Sequence, residues 1–328
     1  MARAGLNRKS ALATTTLVIA AEAPDVDAIA NVRGAVVGFA HHRGITHTFI
    51  GVPLVAAGVV LFVYLMYRLR LRYRPAVRAS TPRWGTLFWL ACLAGLSHIA
   101  LDFTNNYGVR PFEPFSYAWY AWDIVFIVEP VLLLILLAGL LLPGFFRLIN
   151  EEIGPRQRGP HGRGTAILAL IGMVVVLGVR DFEHRSAVAA LESQLYDGSA
   201  PVRVSAFPYW VNPFKWYGVV ETPNSYRRML VDSSTPEVDP AGQAEVQYKP
   251  EETPVTLAAK RSYLGRVYLD WARYPIVESQ QLEPPGSGYV VIFHDVRYMY
   301  PGQLRATLTA RVYLDDKLNV VEQKWGLH

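Results

Sequence analysis

Three short segments of the sequence concentrate imidazole and carboxylate side chains, the groups that bind divalent metal ions in proteins. The first is Ala-Pro-Asp-Val-Asp at residues 23–27, and the second runs from His41 to His47, with three of the chain's eight histidines. The third holds His98 and Asp102, whose spacing of four places both on one face of a predicted helix. The candidate metal ligands are Asp25, Asp27, His42, His47, His98 and Asp102.

A divalent ion held by such ligands would favour hydrolysis. Imidazole with carboxylate suits zinc, which we predict here, or manganese or iron, whereas the single cysteine, Cys92, excludes a cysteine-ligated site. A bound metal lowers the pKa of a coordinated water toward neutrality, and two ions would clamp a phosphate ester. We further predict that Arg43 binds an anionic substrate group and that Asp123 or Glu129 is the general base.

Each motif also has an ordinary structural interpretation. The two aspartates could form an acidic turn that caps the next helix. The histidine run could be a surface feature without a role, and His98 could hydrogen-bond Asp102 one helical turn away. What favours a functional interpretation is location, since taking an ionisable pair such as His98 and Asp102 into apolar surroundings costs free energy that a purely structural pair need not spend.

The elements that must position these residues are apolar helices. The chain is 52% hydrophobic, and its mean hydropathy is +0.18. Crossing a bilayer core takes about 20 apolar residues. The predicted spans are 48–67, 84–101 and 124–142, with two shorter candidates at 10–24 and 164–179. Glu129 would then lie inside the third span.

Arginine distribution predicts the orientation of these spans. The loop 68–83 holds six arginines and no acidic residue, so it should be cytoplasmic. Counting from there places the segments 25–47 and 102–123, which carry the candidate ligands, on the outer face. The net charge of +5 is explained by such loops, and nucleic-acid binding is not predicted.

The hydrophobic runs end near Arg180, which predicts two domains. Residues 1–180 form a helical membrane domain of about four to five spans, and residues 181–328 form a soluble, β-rich (α+β) domain outside the cytoplasm. After a short helix to Leu195, alternating segments predict strands. The clearest of these are 215–221, 289–298, 304–314 and 319–324, with a turn at 315–319.

The motifs together resemble those of the YdjM-like inner-membrane proteins, described as membrane-bound metal-dependent hydrolases and related to zinc-dependent phospholipase C. The resemblance rests on the Ala-Pro-Asp-Val-Asp motif, on His-Arg-Gly-x-Thr-His at residues 42–47, and on Ser-His-x-x-Leu-Asp with a following Tyr-Gly at residues 97–108. It covers roughly the first 145 residues strongly. It implies a bacterial inner-membrane location and ligands drawn from these motifs. Family members usually begin with a helix carrying an early Thr-His, and the resemblance implies that this chain starts beyond it.

The hypothesis from sequence is therefore a metal-dependent hydrolase that acts on a phosphoester or lipid-linked substrate, such as a phospholipid, at the outer membrane face. Two alternatives stay open. A metal-ion or proton transporter would use the same residues as a path, but would place ionisable groups on several helices near the midplane. A non-catalytic envelope protein would hold a structural metal.

Overall fold

The computed structural model describes residues 1–73, 81–153, 162–283, 286–300 and 307–326, with the side chains of 146–153 excepted. The described chain divides into two compact units. The first comprises residues 1–26 and 43–180, and the second comprises residues 27–42 and 181–328. The short segment 27–42 thus belongs with the C-terminal part of the chain.

Long apolar helices dominate the N-terminal half. The helices here are α1 Ala13–Glu22, α2 Ala35–His41, α3 Gly51–Tyr73, α4 Trp84–Thr104, α5 Pro130–Ile153 and α6 Arg163–Glu192. Among the described residues, α3, α4 and α6 are long and apolar enough to cross a membrane, and Pro130–Phe145 of α5 is a shorter apolar helix. The predicted architecture, apolar helices followed by a β-rich domain, is confirmed.

Several predicted span boundaries were wrong. The helix predicted over 124–142 begins only at Pro130, because residues before it pair with the end of α4: the amides of Ile124 and Val125 both donate to the carbonyl of Thr104. Proline is well suited to a first helical position because it lacks an amide hydrogen. Glu129 therefore precedes α5 instead of lying inside it. The helix within 10–24 is α1, only ten residues long.

The core of the first unit forms where α1, α3 and α4 pack together. Its buried members are small or branched, among them Ala20 of α1, Val52 and Ala56 of α3, and Leu87 and Ala94 of α4. Small residues let helix backbones approach closely, which is how membrane helices associate. This packing brings the C-terminal end of α1 beside the C-terminal half of α4, where the carbonyl of Ala21 contacts His98.

The second unit contains two antiparallel sheets. Strand order is β1-β2-β3-β4 in the first sheet, with β5 also pairing β3, and β6-β7-β8-β9 in the second. The strands are β1 Arg203–Pro208, β2 Lys215–Glu221, β3 Ser225–Asp232, β4 Glu237–Val238, β5 Glu245–Tyr248, β6 Pro275–Gln281, β7 Tyr289–Asp295, β8 Thr309–Leu314 and β9 Val320–Gly326. Two short helices, α7 Pro254–Lys260 and α8 Tyr263–Trp271, complete it.

The predicted strands agree with these two sheets in most places. The strand 215–221 matches β2, and the turn 315–319 joins β8 to β9 through reciprocal contacts of Asp315 with Asn319. The strand predicted from 304 starts at Thr309, and 304–306 lie outside the described residues. The strand 289–298 ends at Asp295, and a 3-10 turn follows because the Asp295 side chain accepts from the amide of Arg297.

Segment 27–42 is fixed in the second unit by an aromatic cluster. Phe39 of α2 is 5% exposed. Its ring stacks on Trp325 with centroids 3.7 Å apart and meets the edge of Trp271 at 5.5 Å. Tyr268 completes the cluster at 6.2 Å. Aromatic burial of this kind explains why a segment so early in the chain belongs to the C-terminal unit.

Candidate metal centre

Four of the six predicted ligands lie together in the first unit. His98 and Asp102 project from the last two turns of α4, four residues apart. His47 ends a 3-10 turn, Ile45–His47, just before α3, and Asp25 follows α1 in the 3-10 segment Ala23–Arg33. Helix ends and the turns beside them therefore supply every one of these side chains.

A tight backbone arrangement holds His47 in place. The hydroxyl of Thr48 donates to the carbonyl of Ile45 at 2.8 Å and accepts from the amide of Gly51 at 2.8 Å. There is no room for a side chain at Gly51, since a Cβ there would lie 1.7 Å from the Ile45 oxygen. The turn carrying His47 is thus locked against the start of α3.

The ligand atoms converge closely. Nε2 of His47 lies 3.4 Å from Oδ1 of Asp25 and 3.5 Å from Oδ2 of Asp102. Nε2 of His98 lies 3.5 Å and 3.4 Å from the same two oxygens. One ligand atom from each of Asp25, His47 and His98 falls within 4.8 Å of the others, so these three side chains could hold a metal ion.

These separations fit a bound metal ion. Tetrahedral zinc has bonds of about 2.0–2.2 Å to nitrogen and oxygen, so its ligands stand roughly 3.3–3.6 Å from one another. Nε2 of His98 and Oδ2 of Asp102 are buried, and the 3.4 Å between them is longer than an ordinary hydrogen bond. The His47 side chain is fully buried, whereas that of Asp25 is 49% exposed, so the site is open on one side.

The opposite nitrogen of each imidazole is also engaged. Nδ1 of His98 lies 2.7 Å from the carbonyl oxygen of Ala21. Because a carbonyl only accepts, Nδ1 carries the hydrogen and donates it. Nδ1 of His47 lies 3.1 Å from the hydroxyl of Thr46. Such outer contacts fix the orientation of metal-ligating histidines.

Arg43 orients Asp102. Its Nη2 donates to Oδ1 of Asp102 at 2.8 Å, and its Nη1 donates to the Asn105 side chain at 3.2 Å and the Gly108 carbonyl at 2.9 Å. The guanidinium also lies 4.9 Å from the ring centre of Tyr107. Arg43 itself is 7% exposed, so its contacts are with the protein, and its predicted role in binding substrate stays a prediction.

The two predicted general bases are both buried. Glu129 is 5% exposed, and its Oε2 accepts from Nη2 of Arg180 at 3.1 Å. Asp123 is 5% exposed and has a positive φ of 60°. The ion pair of Arg180 with Glu129 was not predicted from the sequence. Its signal is the position of Arg180 at the end of an apolar run, where an arginine indicates a buried carboxylate partner. Catalysis by either acid stays a prediction.

The remaining predicted ligands, Asp27 and His42, lie in the second unit. They contact each other, with Oδ2 of Asp27 3.6 Å from Nδ1 of His42. They stand at the two ends of segment 27–42. Their predicted role as metal ligands also stays a prediction.

Comparison with known proteins identifies the family. Residues 1–187, more than half of the chain, match the family described as YdjM inner membrane protein. The chain belongs to this family. The match includes the three motifs of the candidate metal centre and all helices from α1 to α5. As the family is one of inner membrane proteins, the apolar helices of this YdjM family member are consistent with its description.

A relative of this YdjM family member is named but not characterised. The chain is 27% identical over 121 residues to "Uncharacterized protein YfhP" of Bacillus subtilis (strain 168). The match covers 36% of this chain and 33% of that protein, so it spans about a third of the relative's length. No solved structure matches the chain.

Proposed function

We propose that this protein is a membrane-bound, metal-dependent hydrolase that acts on a phosphoester. Asp25, His47 and His98 would hold the metal, with Oδ2 of Asp102 as a fourth ligand. The observation that carries this proposal is the separation of 3.4–3.5 Å between each imidazole Nε2 and both carboxylates. Zinc suits this nitrogen and oxygen set, and manganese and iron are the other candidates.

The tautomer of His98 supports a cation at this position. Since Nδ1 donates to Ala21, Nε2 of a neutral ring presents a lone pair. That lone pair would face two carboxylate oxygens, from Asp25 and Asp102, in a buried site. Such an arrangement is repulsive unless a positive charge lies between the groups. A metal ion supplies that charge. The alternative is a proton on Nε2, and elemental analysis distinguishes the two by the metal content of the purified protein.

When bound, the metal would acidify a coordinated water and polarise a phosphoryl oxygen. The chain's own residues would prepare the site for this chemistry. Arg43 holds Oδ1 of Asp102, so that Oδ2 stays directed at the imidazoles. The exposed side of Asp25 gives water and substrate a way in.

We also propose that the site opens at the outer face of the bacterial inner membrane, with residues 181–328 outside the cytoplasm. Support comes from the arginine-rich loop at 68–83, which favours the cytoplasm. A reporter enzyme active only outside the cytoplasm, fused after Gly198, should be active. The same reporter fused after Tyr73 should be silent. The reverse pattern would contradict this orientation.

Turnover tests the proposal directly. The full chain in lipid nanodiscs, supplied with zinc, manganese or iron, should hydrolyse a phospholipid or a soluble phosphodiester, and His47→Ala should abolish the reaction. His41→Ala is the matched control, because His41 is an exposed histidine of α2. Metal binding without turnover of any phosphoester would instead support a structural metal, and metal flux into sealed vesicles would support transport. Either result would refute the hydrolase.

A further inference from the structure

A cavity of about 270 Å³ opens in the first unit where α4 ends. Its walls come from α4, the segment 125–129, α5 and α6. Most of the lining side chains are apolar, including Leu101, Leu132, Leu136 and Met173. Asp102, the proposed fourth metal ligand, is also among the lining residues, so the cavity lies beside the proposed metal site.

Besides Oδ2 of Asp102, one further side-chain oxygen of the described lining residues has no hydrogen-bond partner. Glu129 lines the cavity, and its side chain is 2% exposed. Oε2 accepts from Arg180, but Oε1 is buried and accepts no hydrogen bond from any described residue. A buried carboxylate oxygen without a donor costs free energy, which a ligand that donates to it would recover.

The charge of the pair decides what kind of donor fits. Arg180 already compensates the charge of Glu129, with Nη2 and Oε2 3.1 Å apart. A ligand cation beside Oε1 of Glu129 would add a second positive charge to that of Arg180 and leave it uncompensated in a buried site. A neutral hydroxyl would add no charge. The apolar walls suit a hydrocarbon chain attached to that hydroxyl.

We propose that this cavity binds a long-chain aliphatic alcohol, with its hydroxyl donating to Oε1 of Glu129. The proposal rests on the proposed function in one respect, because it makes the substrate a phosphoester of such an alcohol. In that hydrolysis the water oxygen bonds to phosphorus, the bond from phosphorus to the alcohol oxygen breaks, and a proton from the water ends on that oxygen. The resulting hydroxyl is the group that Glu129 accepts from, so the cavity holds the alcohol product.

Photolabelling tests this binding without turnover. Hexadecanol carrying a diazirine in its chain is added to the full chain in nanodiscs, and labelled residues are mapped by mass spectrometry. Labelling should fall on the lining of the cavity, with Leu132 and Met173 as markers. Unlabelled hexadecanol should compete about tenfold better than hexadecane, since only the alcohol donates to a charged acceptor.

Neighbouring variants on α5 separate the cavity from the lipid-facing surface. Leu136→Trp fills the cavity and should abolish labelling of its lining. Leu137→Trp is the matched control, because Leu137 is 40% exposed and is not among the lining residues, and it should label like the wild type. Glu129→Gln keeps the shape of the side chain and should remove most of the preference for hexadecanol over hexadecane.

Equal labelling of wild type and Leu136→Trp, or equal competition by alcohol and alkane, would overturn the proposal. This result is distinguishable from failure of the hydrolase, because photolabelling does not depend on turnover. Labelling is therefore also measured in His47→Ala, the variant expected to be inactive. Selective labelling without any hydrolysis would refute the proposed function and leave the cavity as an alcohol site. Hydrolysis without selective labelling would refute the alcohol site and leave the proposed hydrolase function standing.

Discussion

The Nδ1 of His98 donates to the carbonyl of Ala21 across a distance of 2.7 Å. Ala21 lies in the last turn of α1, where carbonyls have no partner within the helix. The end of α1 therefore sets the tautomer of a side chain on α4, and it directs Nε2 toward Asp25 and Asp102. One backbone contact thus links the packing of the helices to the geometry of the proposed metal centre.

Gly51→Ala should weaken metal binding. The new Cβ would meet the Ile45 carbonyl at 1.7 Å and must displace the turn that carries His47. Overpacking of this kind costs about 1–3 kcal/mol, and the displacement should also lower metal affinity. Thermal unfolding and metal titration measure the two effects.

Gly58→Ala is the control for this change. Gly58 is in the same helix, α3, and a Cβ there would meet nothing within 4 Å. Its metal affinity should equal that of the wild type. If Gly51→Ala binds metal as tightly as Gly58→Ala, the turn does not position His47.

Arg43→Lys should lower metal affinity about 10- to 100-fold, the usual effect of losing an outer contact to a metal ligand. Lysine has no planar fork, so it cannot hold Asp102 and the Asn105 side chain together. Metal titration and steady-state kinetics distinguish this positioning role from substrate binding. A raised KM with unchanged metal affinity would show that Arg43 binds substrate instead. The exposed Arg33→Lys serves as the control.

Asp295→Asn should destabilise the β-rich unit by about 3 kcal/mol, since it leaves Arg297 as an uncompensated buried charge. Burial alone would raise the pKa of the Asp295 carboxyl, but the Arg297 guanidinium and the hydrogen bonds to that carboxyl hold the pKa below its ordinary value of 3.8. The stabilisation is therefore complete above pH 3.8 and is lost as the pH falls through the lower pKa of the folded state.

Unfolding midpoints of wild type and Asp295→Asn should thus differ at neutral pH and converge in strong acid. Asp316→Asn, an exposed aspartate in the turn between β8 and β9, is the control and should match the wild type throughout. A difference between wild type and Asp295→Asn that does not narrow in acid would mean that the carboxylate charge is not what stabilises this unit.

Motif spacing located much of the site in advance. The spacing of His98 and Asp102 and their place at the end of an apolar run were enough to predict one shared face, and the structure places His47 and Asp25 beside them. The contact of His98 with Ala21 was not predictable, because a backbone carbonyl carries no signal in residue type. It depends on how α1 packs against α4.

What the sequence did not reveal has a common physical cause, which is contact between distant parts of the chain. Hydropathy placed a helix from Ile124, but the amides of Ile124 and Val125 pair with the carbonyl of Thr104, and the helix begins only at Pro130. The spacing of Asp25 and Asp27 likewise gave no sign that the two residues belong to different units. The burial of Phe39 against Trp325 assigns segment 27–42 to the other unit, and aromatic contacts between residues so distant in sequence leave no periodic pattern to find.

The most direct test of the metal centre is elemental analysis of the purified full chain after growth with zinc, manganese and iron. The wild type and His41→Ala should each contain about one metal ion per chain, as expected for a site with this ligand set. His98→Ala and Asp25→Asn should lose it while keeping the circular dichroism spectrum of the wild type. A wild type without metal, or normal metal content in both variants, would contradict the account.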